Sequence, residues 1–206
     1  MNRRLEGKVA IVTGGASGIG ASHSSPLFGT RRKGIVNNDF GSILHAQKEQ
    51  IERILSVNLI GGFLVAKHAA RVMVPNKKGC IMFTASACTK IAGIAKYSYA
   101  ASKYGIVGLT KNLATELGLH GIRVNCISPF GVLTGSDIHD ETKKAMFDRI
   151  MGEVGNLKGK ILKAEDVAKA ALYLGSDEGS YVSGMNLVVD GGYSVVNPSL
   201  FKAIMM

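Results

Sequence analysis

Tyr99 and Lys103 stand four positions apart, a spacing that on a helix puts a phenol and an ammonium on one face. A positive charge beside a phenol favours its ionised form, so such a tyrosine exchanges a proton nearer neutrality than its ordinary value of about 10. The pair by itself is a common accident of solvated helix faces, but two further residues give it weight. Ser86 follows the apolar run Cys80–Thr84 and lies thirteen positions before Tyr99; the ends of strands are where open parallel sheets bind ligands. Asn58, twenty-eight positions before Ser86, sits on an otherwise apolar stripe. Alone it reads as a core asparagine with its hydrogen bonds satisfied. These four positions are the candidate chemistry of the chain.

A second constellation lies near the N-terminus. Lys8–Thr13 is a continuous apolar run, as expected of a strand buried on both faces. Gly14-Gly15-Ala16-Ser17-Gly18-Ile19-Gly20 follows it directly. Glycines let the backbone turn tightly and approach a pyrophosphate, while the following helix points free N–H groups at its charge. Gly14, Ser17, Gly18, Ile19 and Gly20 are therefore candidate cofactor contacts, at a spacing of Gly-x3-Gly-x-Gly.

The elements that must position these residues alternate. Strands are predicted at Cys80–Thr84, Ile122–Ile127 and Met185–Val189. From Glu49 onward Ile51, Ile54, Leu55, Asn58, Gly62, Val65, Ala66 and Ala69 fall on one helical stripe, which Pro75 ends. A second helix is predicted from about Tyr99 to Leu117. A third starts near Ala164, turns Val167, Ala170 and Leu174 inward and ends at Gly175. Strand and helix in alternation predict an α/β fold, a Rossmann-like doubly wound parallel sheet, in a single domain over residues 1–206.

The glycine spacing resembles the Thr-Gly-x3-Gly-x-Gly signature of the short-chain dehydrogenase/reductase family, and Asn58, Ser86, Tyr99 and Lys103 match its Asn-Ser-Tyr-Lys tetrad in order and spacing. Asn125-Cys-Ile-Ser-Pro129-Phe-Gly131 resembles the family's Asn-x3-Pro-Gly stretch with Phe130 inserted, and Ser183 to Gly192 its last strand and turn. From Gly41 onward the chain looks most like the secoisolariciresinol dehydrogenase group of plant specialised metabolism, through Phe63 to Arg71 and Asn156 to Gly159. The resemblance implies hydride transfer between NAD (NADP not excluded) and a secondary alcohol or ketone of a small specialised metabolite. Tyr99 would be general acid/base, and Lys103 would lower its pKa and hold the nicotinamide ribose. Ser86 would bind the substrate oxygen, and Asn58 the water that relays the proton. Val132 would meet the carboxamide and Thr134 the cofactor phosphates, with Leu133–Lys160 as the substrate lid. Family oligomers imply a homo-oligomer through the Glu49 and Tyr99 helices.

The chain departs from the family between Gly20 and Asn58, where 37 residues must hold the rest of the first helix, three strands and their crossovers. A crossover needs at least about a dozen residues beyond its strand, so the second to fourth strands are expected to be largely missing. Residues 22–33 show neither strand nor helix period. Gly34–Asp39 is the only relic, either a makeshift second strand with Asp39 on the adenosine ribose or the residues that follow a lost fourth strand. The expected joint, an internal truncation around 22–40, opens the adenosine site. Two functions follow: an active dehydrogenase with weakened cofactor affinity, or a non-catalytic remnant or splice product that keeps only the subunit-docking helices.

The composition excludes other classes. The net charge of +10 comes from 25 scattered Lys and Arg whose one tight cluster, Arg31-Arg32-Lys33, has no interleaved aromatic platform, so no nucleic-acid partner is expected. The apolar runs are strand-length and no membrane partner is expected. The five histidines show no metal spacing and no metal is expected. Cys80, Cys88 and Cys126 are an odd count with no ligand pair, expected as reduced thiols of a cytoplasmic protein.

Overall fold

The computed structural model describes residues 42–133 and 140–196, with the backbone of Val12–Thr13 and Gly29–Thr30. β1 (Val12–Thr13) pairs in parallel with β2 (Gly29–Thr30). The first expected strand is thus met at its last two residues. Its partner comes from the stretch that carries no period, because two residues held by backbone hydrogen bonds need no apolar alternation. Gly34–Asp39 lies outside the described residues.

A long helical run follows: α1 (Lys48–Leu55), a π turn (Ser56–Ile60) and α2 (Gly61–Met73). Then come β3 (Gly79–Thr84), α3 (Tyr97–Gly118), β4 (Ile122–Pro129), α4 (Glu141–Val154), α5 (Ala164–Gly175) and β5 (Asn186–Val189). Among the described residues β3, β4 and β5 form one parallel sheet in that order, with Thr84 opposite Ile127 and Cys126 opposite Asn186. This is a doubly wound α/β sheet of three strands, incomplete as expected.

Helices cover both faces. Ala66 of α2 and Ile106, Leu109 and Leu117 of α3 pack on Ile81, Phe83, Ile122, Val124 and Cys126. On the other face Val167, Ala171 and Leu174 of α5 pack on Ile127, with Met82, Leu187 and Val189 at the margin. β4 lies between the two cores, and seven of its eight residues are buried, including the hydrogen-bonded Asn125 and Ser128. Arg123, its one half-buried member, donates to the carbonyls of Leu174 (2.7 Å), Val182 (3.2 Å) and Ser176 (3.2 Å), fixing the end of α5 against the sheet.

The chain enters β4 through Gly121, whose φ of +70° is a left-handed conformation. A Cβ there would also lie 2.9 Å from the Lys77 carbonyl oxygen, a backbone atom that cannot swing away. Gly121→Ala is therefore expected to destabilise the fold by about 1–3 kcal/mol. The drop in thermal midpoint measures it.

One expectation needs correction. The helical run over Lys48–Asn76 is 29 residues and, by length and composition alone, long and apolar enough to cross a membrane, with only 11% of its most apolar window buried. The primary sequence hides this because Asn58, Lys67, His68 and Arg71 break every apolar run, while the helix sums what lies between them. Its outer face leaves Ile60, Phe63, Leu64, Val65 and Val72 exposed. The sequence also gave α4 no assignment. Asp140 caps it by accepting the N–H groups of Thr142 (3.1 Å) and Lys143 (3.0 Å), but none of its residues is buried, so no strong apolar stripe marks it.

Candidate active site

Ser86 leaves the C-terminal end of β3 in an extended conformation and caps a short 3₁₀ turn, Ala87–Thr89. Its hydroxyl oxygen accepts the Cys88 N–H at 3.4 Å. Across from it, α3 starts at Tyr97, two residues earlier than its spacing predicts, so Tyr99 sits in the first turn. The Tyr99 phenol lies close enough to the Ser86 hydroxyl for that hydroxyl to favour its ionised form. One turn further on, the Lys103 ammonium lies 5.4 Å from the centre of the Tyr99 ring. It donates to the backbone carbonyl of Thr84 at 2.8 Å. Strand end and helix start thus bring Ser86, Tyr99 and Lys103 together.

Asn58 joins them from the π turn. The Gly61 N–H bonds back to the Ser56 carbonyl, five residues away, which inserts one extra residue into the helix at this point; such bulges recur at functional sites. Asn58 is buried, and its Nδ2 donates to the Ser102 hydroxyl at 3.2 Å, which in turn donates to the Tyr99 carbonyl at 2.6 Å. The asparagine is therefore tied to the backbone of the tyrosine. Neither the π turn nor Ser102 was read from the sequence, although Ser102 lies inside the Tyr99–Lys103 stretch itself.

The electrostatics differ from the expectation. Burial, only partly countered by the Ser86 hydroxyl, pushes the Tyr99 phenol up to about 12. Burial also lowers the Lys103 ammonium to about 8. Helical spacing predicts proximity, but it does not register that the pair sits in a low-dielectric wall, where each charged form is disfavoured. The Cys88 thiol is likewise raised by burial.

Of the candidate cofactor contacts, Gly14, Ser17, Gly18, Ile19, Gly20 and Thr134 lie outside the described residues. Val132 is half-buried and packs with the core under α5. The Asn125 to Gly131 stretch is held at both ends. Asn125, fully buried, donates to the Val182 carbonyl at 2.7 Å and accepts the Met185 N–H at 3.0 Å. Phe130 stacks on Tyr193 with ring centres 4.1 Å apart. The inserted aromatic thus has a partner in the turn after β5, where the Asp190 carboxylate accepts the N–H groups of Gly192 and Ser194.

The family model described as enoyl-(acyl carrier protein) reductase matches residues 31–194. A solved short-chain type dehydrogenase/reductase from Mycobacterium marinum superposes with a TM-score of 0.78 at 26% identity, over 93% of this chain and 97% of that one. This chain is a short-chain dehydrogenase/reductase. Membership makes it an oxidoreductase, and its relatives include several plant enzymes. The dehydrogenase/reductase is 53% identical to (+)-borneol dehydrogenase 1 of Salvia officinalis over 254 residues, covering 96% of this chain and 98% of that protein. It is 39% identical to secoisolariciresinol dehydrogenase of Forsythia intermedia over 255 residues, covering 95% and 92%.

Proposed function

We propose that the chain oxidises a secondary alcohol, or reduces the corresponding ketone, of a small specialised metabolite with NAD(P), and that Tyr99 is its general acid/base. The observation that carries this reading is the meeting of three groups from two elements, Lys103 5.4 Å from the Tyr99 ring centre and bonded to the Thr84 carbonyl at the end of the strand that leads to Ser86. When bound, the nicotinamide supplies or accepts the hydride. The chain's own residues manage the proton. Ser86 steadies the substrate oxygen and the phenol together, and Tyr99 takes or gives the proton at that oxygen. Lys103, buried on the Tyr99 side of the helix, holds a ribose hydroxyl in this reading and favours phenolate. Asn58 steadies the first turn of α3 and the water that links it to solvent. Val132 fits the carboxamide end. Borneol is the first alcohol to try, given the name of the sage relative.

We further infer that the nucleotide-binding half is shortened around residues 22–40. The alignment with the sage enzyme is 254 positions long and takes in 96% of this chain's 206 residues, about 198, which leaves about 56 positions with no residue of this chain opposite them. The exposed apolar face of α2 supports a homo-oligomer, in which a second copy covers Phe63, Leu64 and the groove of 490 Å³ between α2 and α3. That same face supports the second reading, a non-catalytic chain that docks on partner subunits. For either reading we propose the cytoplasm, where Cys80, Cys88 and Cys126 stay reduced.

Titration of the purified chain with NAD⁺ and NADH, following nicotinamide fluorescence and melting together, separates the two. The enzyme reading expects saturable binding and a stabilisation of about 2.7 kcal/mol at a hundredfold excess over Kd. Absence of binding in a chain that melts cooperatively would leave the docking reading.

A further inference from the structure

Thr89, Ser128 and Asn186 come from three separate elements, the turn after Ser86, the end of β4 and the start of β5, and they meet under the proposed active site. The Thr89 hydroxyl donates to the Ser86 carbonyl at 2.8 Å. The Ser128 hydroxyl donates to Asn186 Oδ1 at 2.7 Å. Asn186 Nδ2 donates to Thr89 Oγ1 at 3.2 Å. Thr89 Oγ1 and Ser128 Oγ also lie 3.2 Å apart. Thr89 is 8% exposed and Ser128 is fully buried, so water is a poor substitute for any of these partners.

Each hydroxyl carries one proton, and the short bonds commit both: Thr89's to the Ser86 carbonyl and Ser128's to the asparagine oxygen. The amide of Asn186 is then the proton source that completes Thr89 Oγ1. An asparagine, with a donor and an acceptor on one end group, closes this circuit in one direction only. We propose that Asn186 is a positioning residue for Ser86, acting through the Thr89 hydroxyl to fix the turn that presents the serine to Tyr99. The proposal rests on the reading of Ser86 as part of the active site. It assigns to the last strand a role in holding the reacting hydroxyl, in addition to its place in the sheet.

An aspartate at 186 keeps the shape but offers only oxygen to Thr89. The threonine proton then turns to the carboxylate and releases the Ser86 carbonyl. The experiment compares Asn186→Asp, Thr89→Val and Thr89→Ser in the full chain, by amide hydrogen exchange and by steady-state oxidation of borneol with NAD⁺. Asn186→Asp and Thr89→Val are expected to speed exchange at Cys88 and Thr89, whose N–H groups bond to Ser86, by about tenfold or more. Exchange at Ala85 and Cys126, bonded to Ile127 and Met185, stays as in the parent chain. The kcat falls by about tenfold while the KM for NAD⁺ holds, and Thr89→Ser, which keeps the hydroxyl, restores both. Unchanged exchange at Cys88 and Thr89, or an equal rise at Ala85 and Cys126, would overturn the proposal. Ser86→Ala is measured alongside: parent-like turnover there would sink the active-site reading, while the exchange result still judges the link from Asn186. The exchange arm decides the matter without turnover.

Discussion

Tyr99→Phe is expected to lower oxidation of borneol by about 10²–10⁴-fold while leaving NAD⁺ binding and the melting midpoint close to those of the parent chain. The range is what a positioned general acid or base contributes. The substitution removes one oxygen, the one that faces Ser86 electrostatically, and leaves the ring against Lys103. Turnover and nicotinamide fluorescence on the same preparation therefore separate lost chemistry from lost folding. The parent's pH profile should carry the same signature. With the phenol pushed up to about 12, the phenolate fraction of the free chain grows tenfold with each pH unit below that value. Log kcat/KM for oxidation then rises with a slope near one from about pH 6 to 8, and flattens above 8 as Lys103 loses its proton. Reduction, which needs the protonated phenol, shows no such rise. A profile for oxidation that is flat over this range would remove Tyr99 from the role of base.

Lys103→Met is expected to abolish turnover and yet stabilise the fold. Burial lowers the ammonium from 10.5 to about 8, so the native chain releases a proton that the unfolded chain keeps. Between pH 8 and 10.5 the unfolded state binds more protons, and stability rises with pH across that window. Below pH 8 both states are charged and the cost is carried in full, about 3 kcal/mol for a displacement of that size. An apolar side chain of similar length escapes most of it and gives up the bond to the Thr84 carbonyl. Tyr99 works in the opposite sense. Its raised value means that the unfolded chain loses its proton first, so stability falls as pH climbs from 10 toward 12. The parent should thus be most stable near pH 10, and the methionine variant should lose the rise between 8 and 10. Denaturant midpoints at pH 7, 9.5 and 11 test this. A variant less stable than its parent at pH 7 would mean that the lysine's hydrogen bond outweighs its desolvation.

The residues that read well in the sequence are those whose role depends on spacing along one element. Tyr99 and Lys103 fall on one face of α3, and Asn58 stands out by type among apolar neighbours. Val167 and Leu174 of α5 turn inward as their period predicts, while Ala171 is buried and Ala170 only partly so, a small rotation of the stripe. What spacing misses is dielectric and assembly. The sign of the Tyr99 displacement follows from how deeply the pair is enclosed, which no pair of positions encodes. Ser102, though adjacent to Lys103, gains its meaning from a π turn forty-four positions earlier. Thr89 and Asn186 are ninety-seven positions apart and meet because β4 lies between their elements, a fact of sheet order. The family motifs succeed because they store such facts in compressed form; residues outside them have no such record.

β4 and α4 differ in one respect with a long reach. Seven of eight residues in β4 are enclosed between two cores, while α4 encloses none of its fourteen. A change in β4 must satisfy packing on both sides at once, so few alternatives survive there. A change in α4 meets mainly solvent, so the lineage can sample it almost without structural penalty. The strand bonded directly to Ala85, just before Ser86, is thus walled off from drift, and the helix in the expected lid is open to it. If α4 lines the substrate site, as the proposed function expects, such a scaffold exchanges one alcohol for another by rewriting α4 while the sheet beneath it stays fixed. That division of labour would let a single architecture spread across many small molecules within a few substitutions.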